Sequence, residues 1–97
     1  MARVSYKPKK IISIEREDFR ISIIGKVIEI GEDYFILEDE TGSIKIYNKP
    51  ENLEKSSLIR VFCTKIDENI FCDFFQKLEG FDLKLFNKVE DLYLKFL

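Results

Sequence analysis

Asp39-Glu40-Thr41-Gly42 separates two short segments of alternating character, Tyr34-Phe35-Ile36-Leu37-Glu38 and Ser43-Ile44-Lys45-Ile46-Tyr47. An acidic residue followed by Thr-Gly closes a tight hairpin, because aspartate bonds the turn's own amides and glycine accepts a positive φ. Side chains alternate with a period of two along a strand. Phe35, Leu37, Ile44 and Ile46 therefore share one face, and Tyr34, Ile36, Glu38, Lys45 and Tyr47 share the other. An isolated hairpin is marginal in water, so the apolar face calls for further strands to cover it.

The rest of the chain supplies them. Asp18 precedes a long segment, Phe19 to Ile30, in which Phe19, Ile21 and Ile23 fall on one face and Arg20, Ser22 and Ile24 on the other. Gly25 interrupts it, as glycine does at a bend or bulge, and a strand bent there can serve two sheets at a barrel corner. Gly31-Glu32-Asp33 turns into the hairpin, and Asn48-Lys49-Pro50 ends it, since proline cannot donate to a ladder. Residues 49–57 are polar and read as a loop or one helical turn. Leu58 to Thr64 is a fourth strand, with Ile59, Val61 and Cys63 inward. Asp67-Glu68 turns into a fifth, Asn69 to Gln76. With Asp67 and Glu68 as the turn's central residues, Ile66 pairs with Asn69 and Cys63 faces Cys72, whose Cβ atoms then lie within about 5.5 Å. That leaves a disulfide open, with buried free thiols the plainer expectation in a reducing cytoplasm.

Residues 1–10 are basic and read as a flexible arm, either a solvated terminus or a strand-gripping tail built from Arg3, Lys7, Lys9 and Lys10. Ile11-Ile12-Ser13-Ile14 is placed to seal one end of the core. After Gly80-Phe81, Asp82 can cap a helix running to the end of the sequence, residues 82–97, with Phe81 and Phe86 spaced as a hydrophobic staple.

Composition limits the function classes. The 97 residues make one small domain, and 45% hydrophobic content is enough for one core. Sixteen basic against 18 acidic residues give a net charge of −2, so no global field attracts a polyanion and any such binding must be local and salt-sensitive. No apolar run approaches the roughly 20 residues of a membrane helix. A charged N-terminus without an apolar stretch points away from a signal peptide and toward the cytoplasm. With no histidine and two cysteines, the usual zinc sites and catalytic triads are not expected. There is no phosphate-cradling glycine loop, and the one close acidic pair, Asp39-Glu40, is explained by its turn. We expect no cofactor, no metal, no small-molecule substrate and no enzymatic activity.

Five strands in this order, the first long and bent at Gly25, resemble the OB-fold, a five-stranded Greek-key barrel. The fold class expected is all-β with a C-terminal helix, the barrel spanning residues 11–81. Ile23-Ile24-Gly25-Lys26-Val27, followed by Phe35 to Ile44, is similar to the single-stranded DNA-binding branch of that family. The likeness extends to archaeal replication protein A-like domains and the smaller replication protein A subunits, where a C-terminal helix also follows the barrel. Ser56-Ser57 departs from the pattern, standing where many relatives carry Gly-Asp.

The resemblance implies that the outward side of the second and third strands meets nucleic acid. Tyr34 and Tyr47 match positions where relatives stack aromatic rings, and Lys45 matches a polar position that contacts base or phosphate. Ile36 lies between them. Arg20 and Lys26 extend the patch along the first strand, Arg60 and Phe62 along the fourth, and Lys65 closes over the groove from a hairpin end. The plainer readings are ordinary surface tyrosines and surface ion pairs of Arg20 and Arg60 with Glu38 or Asp73, each contributing under about 1 kcal/mol. Glu38 on the same face weakens the binding reading.

On the terminal helix, Leu85, Phe86, Val89, Leu92, Tyr93 and Phe96 fall on one broad apolar arc, wider than the stripe of about 100° that a helix needs to pack on its own barrel. The surplus points to a protein partner or a second copy, and the resemblance implies the same, because replication protein A subunits assemble through such helices. The function expected is a single-stranded DNA-binding OB module, one subunit of a replication protein A-like complex in DNA replication or repair. The alternatives are a structural adaptor with little nucleic-acid binding, of a telomere-like or repair assembly, and an RNA- or tRNA-binding OB domain.

Overall fold

A computed structural model of the chain describes residues 5–78. It contains β1 (Lys7–Pro8), a 3-10 turn (Ile11–Ser13), β2 (Arg20–Ile30), β3 (Tyr34–Asp39), β4 (Gly42–Tyr47), β5 (Leu58–Ile66) and β6 (Asn69–Lys77). The expected helix over 82–97, with Leu85, Phe86, Val89, Leu92, Tyr93 and Phe96, lies outside the described residues, as does Arg3.

The strands run in the order β1-β2-β3-β4-β6-β5, and β5 returns to pair with β2, which closes the barrel. Closure depends on β2 serving both neighbours. Its first half, Arg20 to Lys26, pairs antiparallel with β5, and its second half, Lys26 to Ile30, pairs antiparallel with β3. Gly25 sits at the changeover because the backbone of β3 passes directly over it: a Cβ there would lie 2.5 Å from the Glu38 carbonyl oxygen. The register shift itself comes later, between Val27 and Glu29. The β4–β6 seam is parallel, at Tyr47 and Phe71.

Alternation places the core as expected. Ile21, Ile23, Phe35, Leu37, Ile46, Ile59, Val61 and Cys63 are fully buried, and Ile44 packs partly buried against them. Ile11 and Ile14 pack on the same cluster from the barrel end, while Ile12 points to solvent. Phe19 is a correction. The expected strand starts at Phe19, on the face of Ile21 and Ile23, but Phe19 precedes β2 and is 57% exposed, its carbonyl accepting from the Lys65 amide. Ser22 and Ile24, on the face opposite Ile21 and Ile23, are buried too, so this half of β2 is covered on both sides. Ser22 is covered because the N-terminal segment lies along β2: Pro8 pairs with Ser22, and the Lys9 amide donates to the Ser22 carbonyl at 2.9 Å.

That pairing also corrects the reading of a flexible arm. Over Lys7–Pro8 the segment is a sixth strand, parallel to β2. Two of its lysines are engaged: Lys9 pairs with Asp18 at 3.4 Å and Lys10 with Glu40. Burial alone would raise the Asp18 carboxyl, but the Glu15 amide and the Lys9 ammonium outweigh it and hold the group below its ordinary value.

The hairpin closes as read, with Asp39 opposite Gly42 and Tyr34 opposite Tyr47. Asp39 Oδ1 accepts from the amides of Thr41 at 2.7 Å and Gly42 at 3.1 Å. Gly42 itself is not in the left-handed region, so its expected positive φ is not what closes the turn. The left-handed residues lie elsewhere, at Asn48, Asn52, Ser56 and Asp67.

Ile66 pairs with Asn69 and Cys63 with Cys72, and both thiols are free and buried. Burial, then the Asp73 carboxylate, pushes the Cys72 thiol up to about 11. Burial pushes Cys63 up as well, with Cys72 and Asp73 adding. A thiol raised in the fold stays protonated while its unfolded counterpart ionises near about 8.5, so stability falls as pH rises from there toward the folded values. A thiol-specific disulfide reagent is expected to react slowly at neutral pH and rapidly with both cysteines in denaturant. Fast native labelling would contradict the buried pair.

Candidate nucleic-acid interface

Tyr34 starts β3 and Tyr47 ends β4, so antiparallel pairing sets the two tyrosines directly opposite each other on the outer face. Lys45, two residues before Tyr47, falls on the same side and opposite Ile36. Its ammonium sits 4.2 Å from the Tyr34 ring centroid and 5.3 Å from that of Tyr47, inside cation–π range of both. One cation thus rests between two rings.

The rings are held from outside the hairpin. The Tyr34 hydroxyl donates to Glu29 Oε2 at 3.1 Å, and that bond and charge raise its pKa above the ordinary tyrosine value. Gly31 makes room for the ring, since a Cβ there would lie 2.1 Å from it. Tyr47 leans on Phe71 across the β4–β6 seam, centroids 5.9 Å apart. Tyr34, Ile36 and Tyr47 are half-buried and Lys45 is exposed, an arrangement that offers ring faces and a charge to a flat, anionic ligand. Glu38 is exposed on the same face, opposite Ser43 and Lys26.

The remaining candidates do not form one continuous patch with these. Lys26 is exposed at the changeover of β2, paired with both Glu38 and Leu58, and borders the group. Arg20, Arg60 and Phe62 belong to the other side of that changeover, on the first half of β2 and on β5. The Lys65 ammonium, at the hairpin end, donates to the carbonyls of Arg16 at 3.0 Å and Asp67 at 2.6 Å. Asp73, considered as an ion-pair partner for Arg20 or Arg60, instead accepts from the hydroxyls of Tyr6 and Thr64. The Phe62 side includes two rings that period-two reading misses, Tyr6 and Phe74. The only sequence signal for Phe74 is the adjacent pair Phe74-Phe75, which a regular strand cannot bury on one face.

A closed barrel with this strand order, the hairpin β3–β4 presenting its outer face, defines an OB-fold protein. Solved structures agree. A chain of the S. pombe Stn1-Ten1 complex superposes with a TM-score of 0.81 at 15% identity, over 97% of this chain and 96% of that one. The telomere capping protein Ten1 from Saccharomyces pombe gives 0.79 at 13% identity, over 94% and 99%. The OB domain of Ta0387 from Thermoplasma acidophilum gives 0.56 at 18% identity, over 77% and 89%. No protein-family model matches the chain, and no curated protein matches it at a significant level. At these identities the likeness establishes the fold.

Proposed function

We propose that this chain is an OB-fold subunit of a multiprotein complex acting on single-stranded DNA, and that it engages the strand through Tyr34, Lys45 and Tyr47. The observation that carries the reading is the lysine held between two opposed tyrosine rings on the outer face of β3–β4. Bases stack on such rings with little regard to sequence, each contributing roughly 1–3 kcal/mol, and the lysine meets a phosphate. Binding without catalysis is the whole activity. A subunit role is supported by the similarity to a chain from a two-protein complex. Similarity to a telomere capping protein favours an end-protecting assembly over the replication and repair setting of replication protein A.

The test is fluorescence anisotropy with labelled oligo-dT. The parent is expected to bind in a salt-dependent manner, and Tyr34→Ala/Tyr47→Ala to bind at least about thirtyfold more weakly, the lower end expected for losing two stacked bases. Equal binding by the pair variant would remove this site. The adaptor reading, with little nucleic-acid binding, is favoured by one observation: Glu29 and Glu38 offset Lys45 and Lys26 around the rings. It predicts no anisotropy change for the parent at any salt.

A further inference from the structure

The outer face of β5 and β6 carries a second group of rings, outside the β3–β4 site. The register of this strand pair shifts between Phe62 and Cys63, so that Phe62 lies opposite Phe74 while Cys63 lies opposite Cys72. Asp73 is the extra residue. Bulges re-aim side chains, and this one turns two consecutive residues outward: Cys72 is buried, Asp73 and Phe74 are exposed, and Phe75 returns to the core.

The outward residues are built into an ordered cluster. Phe74 stacks on Phe62 with centroids 4.4 Å apart and planes 17° from parallel. Tyr6 sets its edge against both, at 5.3 and 5.7 Å. The Tyr6 hydroxyl donates to Asp73 Oδ2 at 2.9 Å, and the Thr64 hydroxyl donates to the same oxygen at 2.6 Å. The Arg20 guanidinium lies 5.2 Å from the Phe19 ring centroid and 5.9 Å from that of Tyr6. Phe74 and Phe19 nevertheless remain 51% and 57% exposed.

Two features choose the occupant. The Phe62–Phe74 stack ends in a half-exposed ring, the geometry onto which a flat base adds. Arg20 makes no ion pair with a carboxylate among the described residues; it lies against the Tyr6 hydroxyl, while Asp73 on the same face takes the Tyr6 and Thr64 hydroxyls on Oδ2. A guanidinium beside rings and without an acidic partner suits a phosphate. We infer that this face is a second platform for single-stranded nucleic acid, separate from Tyr34, Lys45 and Tyr47, on which a base stacks against Phe74 and a phosphate meets Arg20.

The ligand class rests on the proposed function, and the test separates the two. Anisotropy with labelled oligo-dT is read for the full chain, for Tyr34→Ala/Tyr47→Ala, and for that pair combined with Phe74→Ala, Phe74→Leu or Arg20→Gln, with a circular-dichroism melt for each. The tyrosine variant is expected to keep residual binding that Phe74→Ala lowers by about fivefold or more, the loss of one stacked base. Phe74→Leu keeps apolar bulk without a ring and is expected to lose as much, and Arg20→Gln to flatten the salt dependence of the residual binding. If Phe74→Leu binds as well as Phe74, ring stacking on this face is overturned. If the tyrosine pair carries all binding and the Phe74 and Arg20 variants of the parent match it, the platform fails while the proposed function stands. Loss in the Phe74 variants with none in the tyrosine pair would remove the β3–β4 site and leave the platform. No binding by the parent would overturn both.

Discussion

Gly25→Ala is expected to cost about 3 kcal/mol or more, within the upper range for forcing atoms into a packed site. The added methyl would meet the Glu38 carbonyl oxygen at 2.5 Å and Leu37 Cγ at 2.9 Å. The first of these is backbone in a paired strand and cannot swing aside as a long side chain would. Relief requires β2 and β3 to part where β2 changes partner, which loosens both halves of the barrel together. A domain of this size has about 5–15 kcal/mol of stability in all, so the variant should show a far lower urea midpoint or fail to fold. An unfolding midpoint within error of the parent would show that β3 does not pass this close to β2.

Asp39→Ala is the second large effect, about 1.5–3 kcal/mol, because a carboxylate bonded to several donors is lost and partly buried amides are left without partners. Asp39 Oδ1 accepts from the Thr41 amide, the Gly42 amide and the Thr41 hydroxyl, the last at 2.6 Å. Oδ2 accepts from the Ile11 amide at 2.8 Å, and Thr41 Oγ1 accepts from the Ile12 amide at 3.1 Å. One side chain therefore shapes the turn and also ties the Ile11–Ser13 turn to it across the barrel end. Asp39→Asn separates the two jobs. Its carbonyl oxygen can still serve the turn, but its amide would face the Ile11 N–H donor to donor. The expected order of stability in urea unfolding is parent, then Asn, then Ala, with faster amide exchange at Ile11 in both variants. An Asn variant as stable as the parent, with Ile11 still protected, would show that the cross-link contributes nothing.

Much of the barrel was legible because β3, β4 and β5 each bury one face, which fixes register through a period-two pattern. Phe35, Leu37 and Ile46 announce β3 and β4 in that way, and a two-residue turn at Asp67-Glu68 sets Cys63 opposite Cys72 by counting alone. What stayed hidden was whatever breaks the period. The shift between Phe62 and Cys63 leaves Cys72 in place but sends Phe74 outward with Asp73, and only the adjacent pair Phe74-Phe75 hints at it. The N-terminal segment was misread because a short parallel strand held by backbone bonds to β2 has no hydrophobic pattern of its own. The partners of Lys65 were hidden too: the carbonyls of Arg16 and Asp67 that its ammonium meets depend on tertiary placement. Ser56 shows the converse, a left-handed residue at φ 71° where the resemblance had marked an expected glycine.

Of the candidate site, Tyr34, Lys45, Tyr47 and Ile36 were readable as one group, since hairpin pairing follows from the turn. The split of Arg20, Arg60 and Phe62 from them was not readable, because it depends on β2 exchanging one neighbour for another at Lys26.

A nuclear magnetic resonance titration of the isotope-labelled chain with oligo-dT tests strand binding at β3–β4 most directly. The predicted result is saturable, salt-sensitive shifts of the Tyr34, Ile36, Lys45 and Tyr47 signals, whether or not the Phe74 face also responds. Unmoved β3–β4 signals at saturating oligonucleotide would contradict it.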